Sequence, residues 1–437
     1  MSYHAAQGGA SAKGGHRLLW GLAVPFVLLN PLLLLMHGYV WVTSGGTSSA
    51  SLVYAMKFAP LIYLLVAVST LGVRSCFALL QSKLALLMVA VFAISLATPF
   101  LFGTGASTFY YFADALGLAA VFSYFLLTRE LLRLSPRFRT TVFQIMVAGA
   151  VVTSLVILGL FAWSGGSKVS IPPDIHYGIA LGLTLYFTSG AQKFHVPWQP
   201  LVLAAGVGAS QFRMNMLVAG LSMAAGWFWA LRGRGAAWRA LEILVILAAV
   251  VVLFAQPIQA TLSRFGLVTW GIGDAVEIIR GGEGQILGAL PDKELEGSAV
   301  DQRYVESVLV WDELVDQPLS LLLGKGFGAT FENTGALTGH GVREHSIHNS
   351  IFALWLRNGA LGVILFLLPG LLALWTLFKR DRGLYVSSAG LLAIYLACMA
   401  DQYVYWGGYL GIALAVWLHS WRAQQGREDQ APVEADA

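Results

Sequence analysis

The chain has 437 residues, of which 57% are hydrophobic and only 11% are charged, and its mean hydropathy is +0.69. A soluble domain carries roughly a quarter charged residues, so this composition excludes an ordinary soluble protein. The apolar residues come in blocks of roughly 17–25, the length that spans a bilayer as a helix. The sequence therefore predicts an all-α, polytopic membrane protein.

The charge and the cysteines exclude further classes. The net charge of +4 is spread over short loops between apolar blocks, which is not the pattern of a nucleic-acid-binding protein. Cys76 and Cys398 each lie in or beside an apolar block, so neither a disulfide framework nor a cysteine metal site is predicted. The first block, from Leu18 to about Val42, is too long for a cleaved signal peptide and predicts the first membrane helix.

The apolar blocks predict about twelve transmembrane helices. They cover residues 18–42, 50–73, 83–102, 107–127, 141–163, 175–190, 197–210, 213–230, 239–255, 360–378, 383–399 and 402–419. The predicted organisation is a disordered cytoplasmic N-terminus (1–17), nine helices in 18–255, a long loop (256–348), three helices in 349–420 and a disordered cytoplasmic tail (421–437).

The distribution of Lys and Arg predicts the orientation. One set of short loops holds most of these residues, for example Arg129, Arg133, Arg137 and Arg139, whereas the opposite set holds chiefly Lys168. The positive-inside rule places the basic set and both termini in the cytoplasm. The long loop then lies on the outer side.

The long loop contains two distinct segments. "DQRYVESVLVWDELVDQ" (301–317) has mixed charge and few helix breakers, which predicts an amphipathic helix on or near the membrane surface. "GKGFGATFENTGALTGHG" (324–341) is glycine-rich and predicts a loop without the Walker spacing of a nucleotide site. Loops of this length are usually functional.

A candidate base lies where the long loop meets the tenth predicted span. His348 is followed by Asn349 and a natural helix start, and His345 and Arg343 lie just before it. A neutral imidazole can accept a proton from a hydroxyl group near neutral pH. The alternative interpretation is that His348 is a polar cap at the membrane interface.

Several cations are predicted to lie near the same outer face. Arg213, in "GASQFRMNML", opposes the positive-inside trend, and intramembrane charges usually have a task. Arg303 lies on the amphipathic helix, and Lys57 and Arg264 are further cations at this face. Guanidinium groups bind phosphate oxygens through two parallel hydrogen bonds. The alternatives are a snorkelling Arg213 and a solvated Arg303 paired with nearby acids.

The sequence predicts a cavity that suits a diphosphate leaving group and a hydroxyl nucleophile. No metal or other cofactor is predicted, because His340, His345 and His348 have no helical i, i+4 pair and the chain has no HExxH motif. Asp114 and Asp401 are intramembrane acids, which either bond to neighbouring helices or orient a sugar.

Three motifs occur in a characteristic order. An arginine opens a span after a Ser-Gln pair, at Ser210-Gln211-Phe212-Arg213, and the outer loop contains Arg303 and Trp311 before "QPLSLLLGKGFGATF". The segment "HNSIFALWLRNGALG" (348–362) follows. In motif order and predicted spans the chain resembles the O-antigen ligase and polysaccharide polymerase family of the bacterial inner membrane.

The resemblance implies a function and roles for three residues. Members transfer a glycan from an undecaprenyl-diphosphate carrier, on the periplasmic side and without metal, to an acceptor hydroxyl. The acceptor is the lipid A–core in ligases and the next lipid-linked repeat in polymerases. By motif match, His348 is the base or positions the acceptor, and Arg213 and Arg303 hold the diphosphate.

Two positions depart from the family pattern. Members often have a Ser-Arg-Gly sequence where this chain has Phe212-Arg213-Met214, and an acid near the position of Arg357. Arg357 is either a third phosphate ligand or a surface residue. A transporter or flippase for an anionic sugar or lipid-linked substrate is the alternative function, although it normally shows internal repeats and broken midplane helices.

Overall fold

The structure is a computed structural model. It describes residues 15–44, 59–72, 83–102, 108–166, 173–189, 198–210, 213–230, 299–315, 317–334, 341–344, 347, 350–379, 381–399 and 408–428.

The regular elements of the described part are helices, apart from one short hairpin. The first eight helices are α1 (Gly15–Thr43), α2 (Ala59–Leu71), α3 (Lys83–Phe102), α4 (Thr108–Leu134), α5 (Phe138–Trp163), α6 (Pro173–Ser189), α7 (Gln199–Ser210) and α8 (Arg213–Ala230). They are followed by α9 (Ala299–Val315), α10 (Pro318–Leu323), β1 (Phe331–Thr334), β2 (Gly341–Glu344), α11 (Ser350–Thr376), α12 (Arg382–Met399) and α13 (Tyr409–Glu428).

The helices support the prediction of a membrane protein. Within the described ranges, α1, α4, α5 and α11 are long and apolar enough to cross a bilayer. Shorter apolar helices include α2, α7 and most of α12. The count of about twelve spans and the inner-membrane location remain predictions.

Most helix boundaries lie near those of the predicted spans. Helix α11 begins at Ser350, which confirms the predicted helix start after His348, although the predicted span began only at residue 360. Helix α4 continues to Leu134, beyond the predicted end at 127, and α13 continues to Glu428, well into the predicted disordered tail. The predicted glycine-rich loop is only partly a loop, because Phe331–Thr334 pairs with Gly341–Glu344 as an antiparallel hairpin. The predicted span 239–255 and most of the long loop lie outside the described residues.

Proline explains an irregular turn in α1. Residues Val24–Leu29 form a π-helical segment, and the amide of Asn30 donates to the carbonyl of Pro25, one residue further back than in an α-helix. The ring of Pro31 would clash with the carbonyl four residues earlier in a regular helix. A wider turn relieves that clash.

A polar aromatic cluster lies inside the helix bundle. Asn30 Nδ2 donates to the Tyr409 hydroxyl at 2.6 Å, and the Tyr63 hydroxyl donates to Asn30 Oδ1. Phe26 packs between these rings and Tyr124, with ring centroids 4.5–6.1 Å away. These contacts hold α1, α2, α4 and α13 together, and they satisfy an amide that would be costly to bury alone.

Hydrogen bonds between α11 and α12 define two ends of the bundle. The Ser350 hydroxyl donates to the Cys398 carbonyl, whereas the Thr376 and Ser388 hydroxyls lie 2.8 Å apart. The two helices are therefore antiparallel. The end with Ser350 and Cys398 is called the Ser350 end, and the opposite end, where α12 begins, is called the Arg382 end.

A second, smaller core lies beside the Ser350 end. Helix α9 and strand β1 pack against the first turns of α11. Seven fully buried residues form this core: Val310, Leu314, Ala329, Phe331, Ile347, Ala353 and Leu356. Helix α10 is fastened by two further bonds, from the Ser320 hydroxyl to the Leu314 carbonyl and from Trp355 Nε1 to the Leu321 carbonyl.

The segment Gly324–Thr330, called here the glycine loop, enters the helix bundle. Phe327 is fully buried in the main core, and its ring centroid lies 5.6 Å from that of Phe92. Its amide donates to the Ser95 carbonyl at 3.0 Å. That carbonyl is available because Pro99, four residues later, has no N–H to donate.

A break in α11 supplies the other acceptors for the loop. Gly359 has a φ of 63°, so the helix is interrupted there. The carbonyls of Leu356 and Arg357 instead accept the amides of Lys325 and Gly326, at 2.6 and 3.0 Å. Irregular backbone at membrane depth is tolerated only where protein satisfies its polar groups. Here the carbonyl left unbonded by Pro99 in α3 and those at the break in α11 do so.

Gly359→Ala should destabilise the fold strongly. A Cβ there would collide with the Leu322 carbonyl oxygen, and the positive φ is unfavourable for alanine. Left-handed strain and overpacking together predict a loss of about 2–6 kcal/mol. Thermal unfolding of the purified protein in detergent measures it.

The matched control is Gly159→Ala, an exposed helical glycine in α5 whose added Cβ would meet no atom within 4 Å. Alanine is favoured there by helix propensity. Equal melting temperatures for the two variants would contradict the predicted packing at Gly359.

Candidate active site at the Ser350 end

The predicted site residues are described to different degrees. His348, His345, Asn349, Lys57 and Arg264 lie outside the described residues. For Arg213, Arg303 and Arg343 the structure gives the backbone position alone. The positions of the helices and strands that contain or flank these residues indicate where the site lies.

The backbone is fixed on both sides of the predicted base. Ile347, which precedes His348 in sequence, is fully buried in the smaller core. Ser350 begins α11, is fully buried, and bonds to the end of α12. The start of α11 is thus held by the smaller core and by the membrane bundle.

Two of the predicted cationic residues lie on elements that pack at this place. Arg303 lies on α9, one turn before the fully buried Glu306. Arg343 lies on β2, and its Cα partner across the hairpin is Glu332 on β1. Since α9 and β1 both pack in the smaller core with Ile347, the fold brings both backbones to the Ser350 end.

The third predicted cation, Arg213, is the first residue of a helix that begins at the Ser350 end. Helix α8 runs parallel to α6, because the Thr184 and Ser222 hydroxyls lie 2.5 Å apart and, further along both helices, Gly226 packs on the Phe187 carbonyl. Near the Arg382 end, the Tyr385 hydroxyl of α12 donates to the Ala225 carbonyl of α8 at 2.7 Å. The last residue of α6 also lies there, because Ser189 accepts a hydrogen bond from Arg382 at the start of α12. Helices α6 and α8 therefore both end at the Arg382 end, and Arg213, the first residue of α8, lies at the Ser350 end.

A buried ion pair joins the glycine loop to the bundle. Arg357 Nε lies 2.8 Å from Asp114 Oδ2, and both side chains are 1% exposed. The same carboxylate oxygen accepts the amide of Gly328 at 2.9 Å. The interpretation of Arg357 as a surface residue is therefore wrong: its charge is compensated by an acid on α4.

The contacts of the glycine loop with α3, α4, α9 and α11 are called here the junction, and two more polar contacts belong to it. Asn358 Nδ2 donates to the Ser95 hydroxyl of α3. Lys325 Nζ donates to Glu313 Oε1 of α9 at 2.7 Å, with the lysine side chain 7% exposed. The glycine loop thus connects α3, α4 and α11 inside the bundle with α9 outside it.

This junction was not predicted from the sequence, although the sequence contains a signal for it. An isolated charge inside a membrane protein is expensive and needs a partner. Asp114 lies in an apolar segment, Arg357 is followed by another, and the two side chains have opposite charges. The requirement for compensation could have paired them.

No metal site is formed by the described side chains. Among them, no three His, Cys, Asp or Glu residues lie close enough together to hold an ion.

Comparisons of the chain with protein-family models, with curated proteins and with solved structures gave no match.

Removing one partner of the buried ion pair should destabilise the protein strongly. Arg357→Met or Asp114→Leu would each leave an uncompensated charge, which costs about 3–5 kcal/mol. The double variant buries no charge, and its loss should be smaller than the sum of the single losses. Equilibrium unfolding in detergent measures all three.

The pair Arg133–Glu130 is the matched control, because its atoms are also 2.8 Å apart but the arginine side chain is 72% exposed and the glutamate is only partly buried. The corresponding Met and Leu substitutions should each cost less than about 1 kcal/mol. Additive losses at Asp114 and Arg357 would show that the two side chains do not interact.

Proposed function

We propose that the protein is a glycosyltransferase of the bacterial inner membrane whose active site faces the periplasm. It moves a glycan from an undecaprenyl-diphosphate carrier to an acceptor sugar hydroxyl, as an O-antigen ligase or a repeat-unit polymerase. The proposal rests on the ordered motifs of the sequence and on one observation in the structure, an apolar groove that starts beside the start of α11.

The groove offers a place for the carrier's hydrocarbon chain. It has a volume of about 250 Å³, lies between α3, α4, α11, α12 and α13, and is lined almost wholly by apolar side chains. Leu354, one turn from Ser350, lines the part of the groove nearest the Ser350 end, and Leu372 and Trp421 line the part nearest the Arg382 end. From Leu354 to Leu372 the groove therefore follows most of α11, on both sides of the break at Gly359.

This position links the groove to the proposed chemistry. A polyprenyl chain lying in the groove would present its diphosphate beyond Leu354, at the Ser350 end. That is the end at which α8 and α9 carry Arg213 and Arg303. Their guanidinium groups would stabilise the negative charge that develops on the departing diphosphate.

The proposed reaction is a direct displacement at the anomeric carbon. The acceptor oxygen forms a bond to that carbon while the bond to the diphosphate oxygen breaks, and the diphosphate leaves with the electron pair. His348 takes the proton of the acceptor hydroxyl. The reaction needs no metal and no nucleotide.

The distribution of charge favours this proposal over a transporter. In the described part of the chain, the buried Asp, Glu, Lys and Arg side chains are Asp114, Glu306, Lys325 and Arg357. All four belong to the junction or to α9, at the Ser350 end. A transporter needs polar groups along a path through both halves of the membrane.

His348→Ala should reduce glycan transfer by about 100-fold or more, because a general base contributes about 10²–10⁴ in rate. Transfer from a purified lipid-linked donor to acceptor is measured in detergent solution, where no compartments exist and a flippase alone yields no product. His16→Ala, an exposed histidine near the start of α1, is the control and should keep full activity. Unchanged transfer by the His348 variant would remove the catalytic assignment.

Arg213→Lys should also impair transfer, although the charge is kept. An ammonium group cannot reproduce the two parallel bonds of a guanidinium, and losing one bond to a charged group costs about 1.5–3 kcal/mol, roughly 10–100-fold in rate. The same assay is used, with Arg137→Lys, at an exposed position of the Arg382 end, as control. Equal rates for the two variants would favour the snorkelling interpretation of Arg213.

A further inference from the structure

A second cavity lies at the Arg382 end, far from the proposed active site. It has a volume of about 200 Å³ and lies between α5, α6 and α12. Arg139 and Arg382 are among its lining residues, together with the polar residues Thr140 and Ser189. Two guanidinium groups facing one cavity repel each other, so the cavity favours an anion.

Both arginines are anchored at the cavity wall. Arg382 Nη2 donates to the Ser189 carbonyl at 2.8 Å, and Arg139 Nη1 lies 3.5 Å from the Ser420 hydroxyl. The guanidinium of Arg139 also packs on the backbone of Gly383, where a Cβ would collide with it. Each guanidinium has five N–H donors, and binding a phosphate through two parallel hydrogen bonds uses two of them.

The described lining of the cavity is basic. Of the described residues that line it, Arg139 and Arg382 are cationic and none is acidic. Asp381, which precedes Arg382 in the chain, accepts the amide of Leu384 through Oδ1 at 2.8 Å, in the first turn of α12.

The remaining walls are apolar. Phe143, Val147 and Val386 line the side that continues into the bundle. Such a surface contributes nothing to the binding of a small soluble anion. A phospholipid, in contrast, places its phosphate at the interface and its acyl chains against apolar side chains. Basic pockets between membrane helices on the cytoplasmic side are a known form of lipid headgroup site.

We propose that this cavity binds the phosphate of an anionic glycerophospholipid in the inner leaflet. Arg139 and Arg382 hold the phosphate oxygens, and the apolar wall of α5 and α12 takes the start of an acyl chain. The site is independent of glycan transfer at the Ser350 end.

Titration of the full-length protein in detergent micelles with phosphatidylglycerol tests the proposal, with the shift in melting temperature as readout. Arg139→Gln/Arg382→Gln should weaken binding by roughly five-fold for each arginine. The control is Arg133→Gln/Arg137→Gln, which removes two exposed arginines from the same end and should leave binding unchanged. Equal binding by both double variants would overturn the site.

Two further measurements keep the test decisive. Inorganic phosphate should not reproduce the shift given by phosphatidylglycerol, and an equal shift would mean a free-anion site instead of a lipid site. If the glutamine variant does not fold, native mass spectrometry of retained lipid compares the wild type with Arg139→Lys/Arg382→Lys. The lysine variant should retain less phosphatidylglycerol because it lacks the planar forks, and equal retention would contradict the proposal.

Discussion

The fold depends on the burial of a short irregular backbone segment between membrane helices. The glycine loop has peptide groups that cannot be left unsatisfied away from water. Pro99 in α3 and Gly359 in α11 each interrupt a helical ladder, and the carbonyls near these breaks accept the loop's amides. Asp114 accepts one more amide and neutralises Arg357. Each irregularity would be a defect alone, but together they form one complementary junction.

The junction connects the outer segment to the membrane bundle. Lys325 bonds to Glu313 at the end of α9, and the smaller core packs α9 and β1 on the first turns of α11. The elements that carry Arg303 and Arg343 are thereby held against the helix whose start follows His348 in the sequence. In the proposed enzyme, this rigid connection would set the distance between base and diphosphate, on which displacement chemistry depends.

The sequence predicted most helix positions but not the long-range junction. Hydropathy predicted the bounds of α3 and α8 because each begins at a basic residue, Lys83 or Arg213, and continues with mostly apolar residues. Hydropathy alone placed the tenth span at 360, because Arg357 and Asn358 lower the local hydropathy, whereas the polar residues after His348 predicted the observed start of α11. The partners of Arg357 and Asn358, on α4 and α3, are remote in sequence. The hairpin was missed because "FENT" and "GVRE" lack a clear alternation of apolar and polar residues. For the site, motif order selected Arg213, Arg303 and His348. The fold brings the start of α8, the helix α9 and the start of α11 to the Ser350 end.

Hydrogen exchange of the glycine-loop amides tests the central claim most directly. The amides of Lys325, Gly326, Phe327 and Gly328 each donate to a buried acceptor. Peptides covering 324–330 should therefore exchange as slowly as the core of α11, although they belong to no helix or strand. Exchange within seconds, as in an open surface loop, would contradict an inserted loop and the connection built on it.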